Sequence, residues 1–329
     1  MRIILLALLI LLTSVSTSKE MTNKQESRVA IESVVVYGIR SGPGLWKVSK
    51  GENTLWILGT LSPLPKRMVW ESMQVESVIY DSQALLLPPV VSAEIGFFQG
   101  ISLAASAIGM KKNPEKKKLK EVVPADIYAR WLLLKKKYMG HNRGIEKSRP
   151  LFASSKLFDK AVAKIGLTYN TKVEKKVRKL AKKNKLELIR PMIKLDLDKP
   201  KAAIKKFKKT QLSDLECFSK TLDRLEEDVD NMRIRANAWA NGSIAILNEL
   251  TFPDQNQSCI SAILNNDIAK DLGMEDIRER SRKLWLQKAK EALNTHNSTF
   301  AFLPISSLLG EKTVLQELAA EGYSVKLPN

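Results

Sequence analysis

The sequence predicts a mixed α+β fold: a central β-sheet built from both chain ends, flanked by helices, with a largely helical middle. Three observations carry this expectation. Short apolar and aromatic runs stand near the front, at 45–48 and 54–58. Similar runs close the chain, at 299–303 and 323–327. Between them, lysine-rich segments repeat apolar residues every three or four positions, which is the helical period. Strands at both ends and helices between them suit one domain over 31–329, with a helical insertion at about 93–295.

The elements follow in order. Met1-Arg2, the apolar run Ile3 to Leu12 and the small residues Thr13 to Ser18 form the three parts of a secretory signal peptide, expected at 1–18. The run falls well short of the roughly 20 residues that span a bilayer. The protein is therefore expected to be exported, periplasmic or secreted, and not an integral membrane protein; an uncleaved anchor is the alternative. Residues 19–30 are polar and read as a mobile segment. Ile31 to Val36 includes a strand-like run, and Ser41-Gly42-Pro43-Gly44 marks a turn. LWKV (45–48) and TLWIL (54–58) flank a Gly-containing turn and read as a β-hairpin ended by Gly59-Thr60. Trp70 to Tyr80 reads as a helix, and Ala84 to Leu87 as a short buried strand stopped by Pro88-Pro89.

The middle is helical. Lys172 to Asn184 sets Val173, Val177, Leu180 and Ala181 on one face, and Leu186 to Ile189 is a candidate strand. From Ser213, an S-x-x-E capping box with Glu216 opens a stripe of Phe218, Leu222, Leu225, Val229, Met232, Ala236 and Trp239, one long helix ended by Asn241-Gly242. Helices at 254–264 and 275–295, a strand at 299–303, a helix at 311–321 and a terminal strand at 323–327 complete the chain.

Charge and cysteines bound the function. The chain has 54 Lys+Arg against 35 Asp+Glu, a formal net charge of +19. Such a field attracts polyanions. For an exported chain these are membrane phosphates and acidic polysaccharides, not nucleic acid. Solvation of lysine on polar helix faces explains most of the excess without a partner. Cys217 and Cys259 are the two cysteines; an even count in an exported chain suggests one disulfide, with two buried thiols as the alternative. No G-x-S-x-G elbow, P-loop or H-E-x-x-H is present. The two histidines, His141 in a loop and His296 at a helix end, are not spaced as a metal motif.

The hairpin running into Gly59-Thr60, together with Pro304-Ile305-Ser306-Ser307-Leu308-Leu309-Gly310 and the closing Leu318 to Gly322-Tyr323-Ser324-Val325, resembles the TraB/GumN family. Members open with a similar hairpin leading to G-T-x-H and close with G-x-x-H and a GY.V ending. Relatives, the TIKI proteases among them, are described as metal-dependent hydrolases, and the resemblance implies that the two motif histidines serve the metal. Imidazole binds divalent metals well, and a carboxylate commonly completes the set. Here Ser62 and Ser307 stand at the histidine positions, and Pro88 follows the strand where an acidic residue is usual. Arg280 and Trp285 fall where the family often has an arginine and a tryptophan.

The resulting expectation is a divergent family member with no catalytic residue, no metal and no cofactor. Gly59, Thr60, Ser62, Arg280 and Ser307 mark the degenerate site, and the protein would act by binding a peptide, a glycan or a partner protein in the cell envelope. A metal-dependent hydrolase with a rebuilt site is the alternative, and a basic envelope protein that binds an anionic surface is the third reading. Glu32 to Gly38 also resembles the E-V-V-V-x-G segment of TonB-dependent receptors, which docks by adding a strand to a partner; an internal edge strand is the favoured reading. Signal peptidase should cleave after Ser18, so mass spectrometry of the exported protein should find an N-terminus near Lys19; an intact apolar run would contradict this.

Overall fold

The computed structural model describes residues 42–93, 97–195, 200–250, 255–264, 269–270, 272–310 and 312–328, all within Arg40–Asn329, one of the chain's two compact units. The expected leader at 1–18, the polar segment at 19–30 and the strand at 31–36 lie outside the described residues.

The fold is α+β. Its strands are β1 Leu45–Lys50, β2 Asn53–Thr60, β3 Leu64–Pro65, β4 Ala84–Leu86, β5 Val90–Ala93, β6 Leu167–Thr168, β7 Glu187–Ile189, β8 Met192–Leu195, β9 Ser298–Pro304 and β10 Ser324–Lys326. The helices are α1 Met73–Tyr80, α2 Phe97–Ala107, α3 Ala125–Met139, α4 Pro150–Lys164, α5 Lys172–Lys183, α6 Pro200–Lys209, α7 Leu215–Glu227, α8 Val229–Ala240, α9 Ile244–Glu249, α10 Gln255–Leu264, α11 Ile277–Thr295 and α12 Val314–Ala320. Among the described residues no helix is long and apolar enough to cross a membrane.

Six strands form the central sheet in the order β10-β1-β2-β9-β4-β7. The β1–β2 hairpin is antiparallel, with Trp46 opposite Ile57. β2 then runs parallel to β9, Gly59 opposite Leu303 and Thr60 opposite Pro304, and β9 runs parallel to β4. Parallel strands covered on both faces read as continuous apolar runs. Leu55, Ile57 and Leu58 of β2 and Phe300, Ala301, Phe302 and Leu303 of β9 are accordingly all buried. α1, α5, α8, α11 and α12 contribute Val75, Val177, Trp239, Trp285 and Leu318, among others, to the same core.

The sheet is not built from the chain ends alone. β7, from within the expected insertion, pairs parallel with β4, Leu85 opposite Leu188. The α5 side chains Val173, Val177 and Ala181 are part of the sheet core. The pairing resumes beyond Pro88-Pro89 as a separate two-stranded sheet of β5 and β8.

The long helix expected from Ser213 to Trp239 is instead two helices, α7 and α8, broken at Asp228. The apolar stripe continues through the break but serves two cores. Phe218, Leu222, Leu225 and Met232 join a helical core with Trp131, Leu157 and Phe158, whereas Ala236 and Trp239 join the sheet core. Buried Asp228 holds the corner, its Oδ2 accepting from Arg224 and Arg235. The expected capping box does not form either. The α7 N-cap is Asp214, without a side-chain capping bond. Its Oδ2 accepts the Leu151 N–H at 2.8 Å, and burial pushes its carboxyl above its ordinary pKa. Glu216 pairs with Lys220 and accepts from Ser258.

A buried arginine closes the helical region. Arg149 donates to the carbonyls of Lys112, Thr210 and Phe207 at 3.1, 2.7 and 2.6 Å, and its guanidinium lies 4.7 Å from the Phe207 ring. The planar fork of five donors fits such a cluster of carbonyls.

Cys217 and Cys259 are disulfide-bonded, with Cα atoms 4.5 Å apart, which ties α10 to α7. The bond closes 42 residues of chain. Cys217→Ser with Cys259→Ser should therefore lower stability by up to about 4 kcal/mol on the chain-entropy estimate, read as a drop in the urea midpoint.

Candidate functional site

The two motifs singled out by the sequence end on neighbouring strands. β2 finishes at Thr60 and β9 at Pro304, paired in register. β4 runs parallel beside β9 and finishes at Leu86, so three strands deliver their C-terminal ends to one sheet edge. Ligands of open α/β sheets bind beyond the carboxyl ends of the strands.

Gly59 and Thr60 have structural work there. A Cβ at Gly59 would lie 2.9 Å from both Ile305 Cγ1 and Trp46 Cζ3 and 3.2 Å from Leu308 Cδ1. Only glycine lets the 3-10 turn Ile305–Ser307, which follows β9, close onto β2. The Gly59 carbonyl accepts the Trp239 indole N–H at 2.6 Å. Thr60 Oγ1 donates to the Leu303 carbonyl at 3.1 Å, tying the two strand ends together.

Ser62 follows β2 and is exposed. Ser307, half-buried, ends the 3-10 turn and lines a cleft of about 440 Å³ with Pro88, Pro89, Trp285, Leu303 and Pro304. Ser62 does not line this cleft. Its volume is within the range of small-ligand pockets. α11 forms one wall through Arg278, Ser281, Arg282 and Trp285, a helical i, i+3, i+4, i+7 face. Arg280 is off that face: it is exposed and donates to the Gly273 carbonyl at 2.8 Å. The 278-281-282-285 spacing was present in the sequence but becomes informative only once α11 is placed against the sheet edge.

The cleft is cationic over an apolar floor. Arg282 is engaged by Glu279 and Glu317, and this contact holds the Glu279 carboxyl below its ordinary pKa. Arg278 and Lys312, also on the lining, form no ion pair among the described residues. Trp285 is almost wholly buried, and its indole N–H has no acceptor among the described residues.

A family model described as the TraB/PrgY/gumN family matches residues 44–327. The chain belongs to this family. The comparison with curated proteins and the comparison with solved structures each returned no match. The matched span runs from just before β1 to just after β10, so it contains the strand ends and the cleft.

Ser62, Ser307 and Pro88 are not a donor set suited to the divalent metal that the motif resemblance implies. Serine hydroxyls are poor zinc or manganese ligands beside imidazole and carboxylate, and proline side chains offer no donor. Among the described residues no group of three His, Cys, Asp or Glu is disposed to hold a metal ion. His296 is at the far end of β9 from the cleft, 3.6 Å from Glu187, and His141 is exposed in a loop.

Gly59 gives a direct test of this geometry. Gly59→Ala should destabilise the protein by about 1–3 kcal/mol through overpacking against Ile305 and Trp46, measured by urea unfolding. A neutral result would mean that the turn is not held against β2.

Proposed function

We propose that this chain is an exported, catalytically inactive member of the TraB/PrgY/gumN family that binds a short peptide in the cleft beyond the C-terminal ends of β4 and β9. One observation carries the reading: the strand ends where the family's metal ligands are expected carry Ser62, Pro88 and Ser307, while the glycine and threonine that hold those ends together are kept. The scaffold of the site persists without its ligand chemistry.

The cleft's apolar lining suits an apolar side chain. Arg278 and Lys312 at its lining suit a carboxylate, through charge-assisted hydrogen bonds. A glycan is the lesser fit, because stacking on Trp285 is limited by that ring's burial. The domain would run over 31–329 after removal of a leader at 1–18.

Elemental analysis of the purified protein should find transition metal well below one equivalent. Stoichiometric zinc or manganese would overturn the inactive reading in favour of a rebuilt hydrolase. Ser62→His combined with Ser307→His should raise zinc affinity only modestly, because Pro88 leaves the set without a carboxylate; tight binding by the double variant would place a third ligand elsewhere.

A further inference from the structure

A second face of the molecule carries a chemistry that the cleft does not use. α5 packs Val173, Val177 and Ala181 into the core, which leaves its outward positions mainly to lysine, with Glu174 and Arg178 among them. Lys172, Lys175, Lys176, Lys179 and Lys183 follow i, i+3, i+4, i+7, i+11 spacing and form one row along a groove of about 730 Å³. Lys176 pairs with Glu76 at 2.6 Å and lies 5.4 Å from the Trp70 ring. The other four lysines form no ion pair among the described residues.

Large apolar side chains border this row. Val69, on the groove itself, is 79% exposed. Met73 and Tyr80 of α1 are 72% and 74% exposed. They stand at i−3 and i+4 from Glu76, on the same side of α1. Since Glu76 reaches Lys176, the exposed apolar face of α1 adjoins the lysine row. The loop is anchored beside Val69, where Trp70 packs at 5.7 Å against buried Trp239.

A polyanion in water would satisfy the lysines and leave Val69, Met73 and Tyr80 wet. An anionic bilayer surface meets both requirements, with phosphates for the row of charge and an interfacial apolar layer for the side chains beside it. We propose that the α5 lysine row and the adjoining Val69–Met73–Tyr80 patch dock this protein on an anionic membrane surface, lysines at the headgroups and the apolar side chains in the interface. The cleft reading stands or falls separately, since none of these residues lines the cleft.

The test uses the full chain with Val69→Cys. Both native cysteines are bonded to each other, so the new thiol takes a polarity-sensitive fluorophore alone. Vesicles of phosphatidylglycerol in phosphatidylcholine should shift its emission to the blue; vesicles of phosphatidylcholine alone should not. Adding Lys175→Gln and Lys179→Gln, both exposed, should weaken the response about 30-fold, from the usual contribution of a lysine near an anionic surface. The same label at Leu133→Cys, exposed on α3, should not shift. The proposal is overturned by an unshifted label at position 69, by an equal shift at 133, or by a response indifferent to the two lysines. Retention on an acidic polysaccharide matrix with no blue shift on vesicles would also overturn it, and would make the polysaccharide the occupant.

Discussion

The parallel pairing of β2 with β9 is the contact on which the rest of the structure depends. It joins segments at opposite ends of the sequence, with Thr54 opposite Ser298 and Thr60 opposite Pro304. Closing a chain loop of that size carries a conformational entropy cost, though one that grows only slowly with loop length. Burial offsets it: the inward and outward side chains of both strands are removed from water along most of their length. Once these strands are in register, β1 and β10 add on one side and β4 and β7 on the other. The three C-terminal strand ends then meet at one edge without further instruction.

That edge is reinforced from the backbone outward. Trp239 reaches the Gly59 carbonyl from α8, Thr60 reaches the Leu303 carbonyl, and Gly59 admits Ile305. None of these contacts involves a metal ligand. A metal site imposes its own demands on imidazole and carboxylate, but the surrounding fold is held by apolar packing and backbone hydrogen bonds. Ligand positions can therefore change to serine or proline while the edge keeps its shape. The α5 lysines are constrained in a similar way. Their helix is anchored by three small apolar side chains, so the outward residues are free to vary in charge without loss of packing.

The helical region is held together through buried charge as well as apolar surface. Arg149 sits at the N-cap of α4 and Asp228 between α7 and α8, and each is surrounded by partners that satisfy it. Removing one partner of such a cluster leaves a buried polar group unpaired, which is more damaging than the net worth of the bond.

Much was legible from local sequence. Apolar runs bounded by Gly and Pro marked the hairpin, β4 and β9, and the period of three and four residues marked α5 and the α7–α8 stripe, because strand and helix alternation are properties of adjacent residues. The cysteine pair was also legible. The break at Asp228 was not, because a periodic stripe does not reveal that its halves face different cores. The pairing of β7 with β4 in the central sheet and the lining of the cleft by Arg278 and Arg282 rather than Arg280 were decided only in three dimensions. Each depends on the placement of an element against partners far away in the chain, set by burial and register and not by any residue's neighbours in sequence.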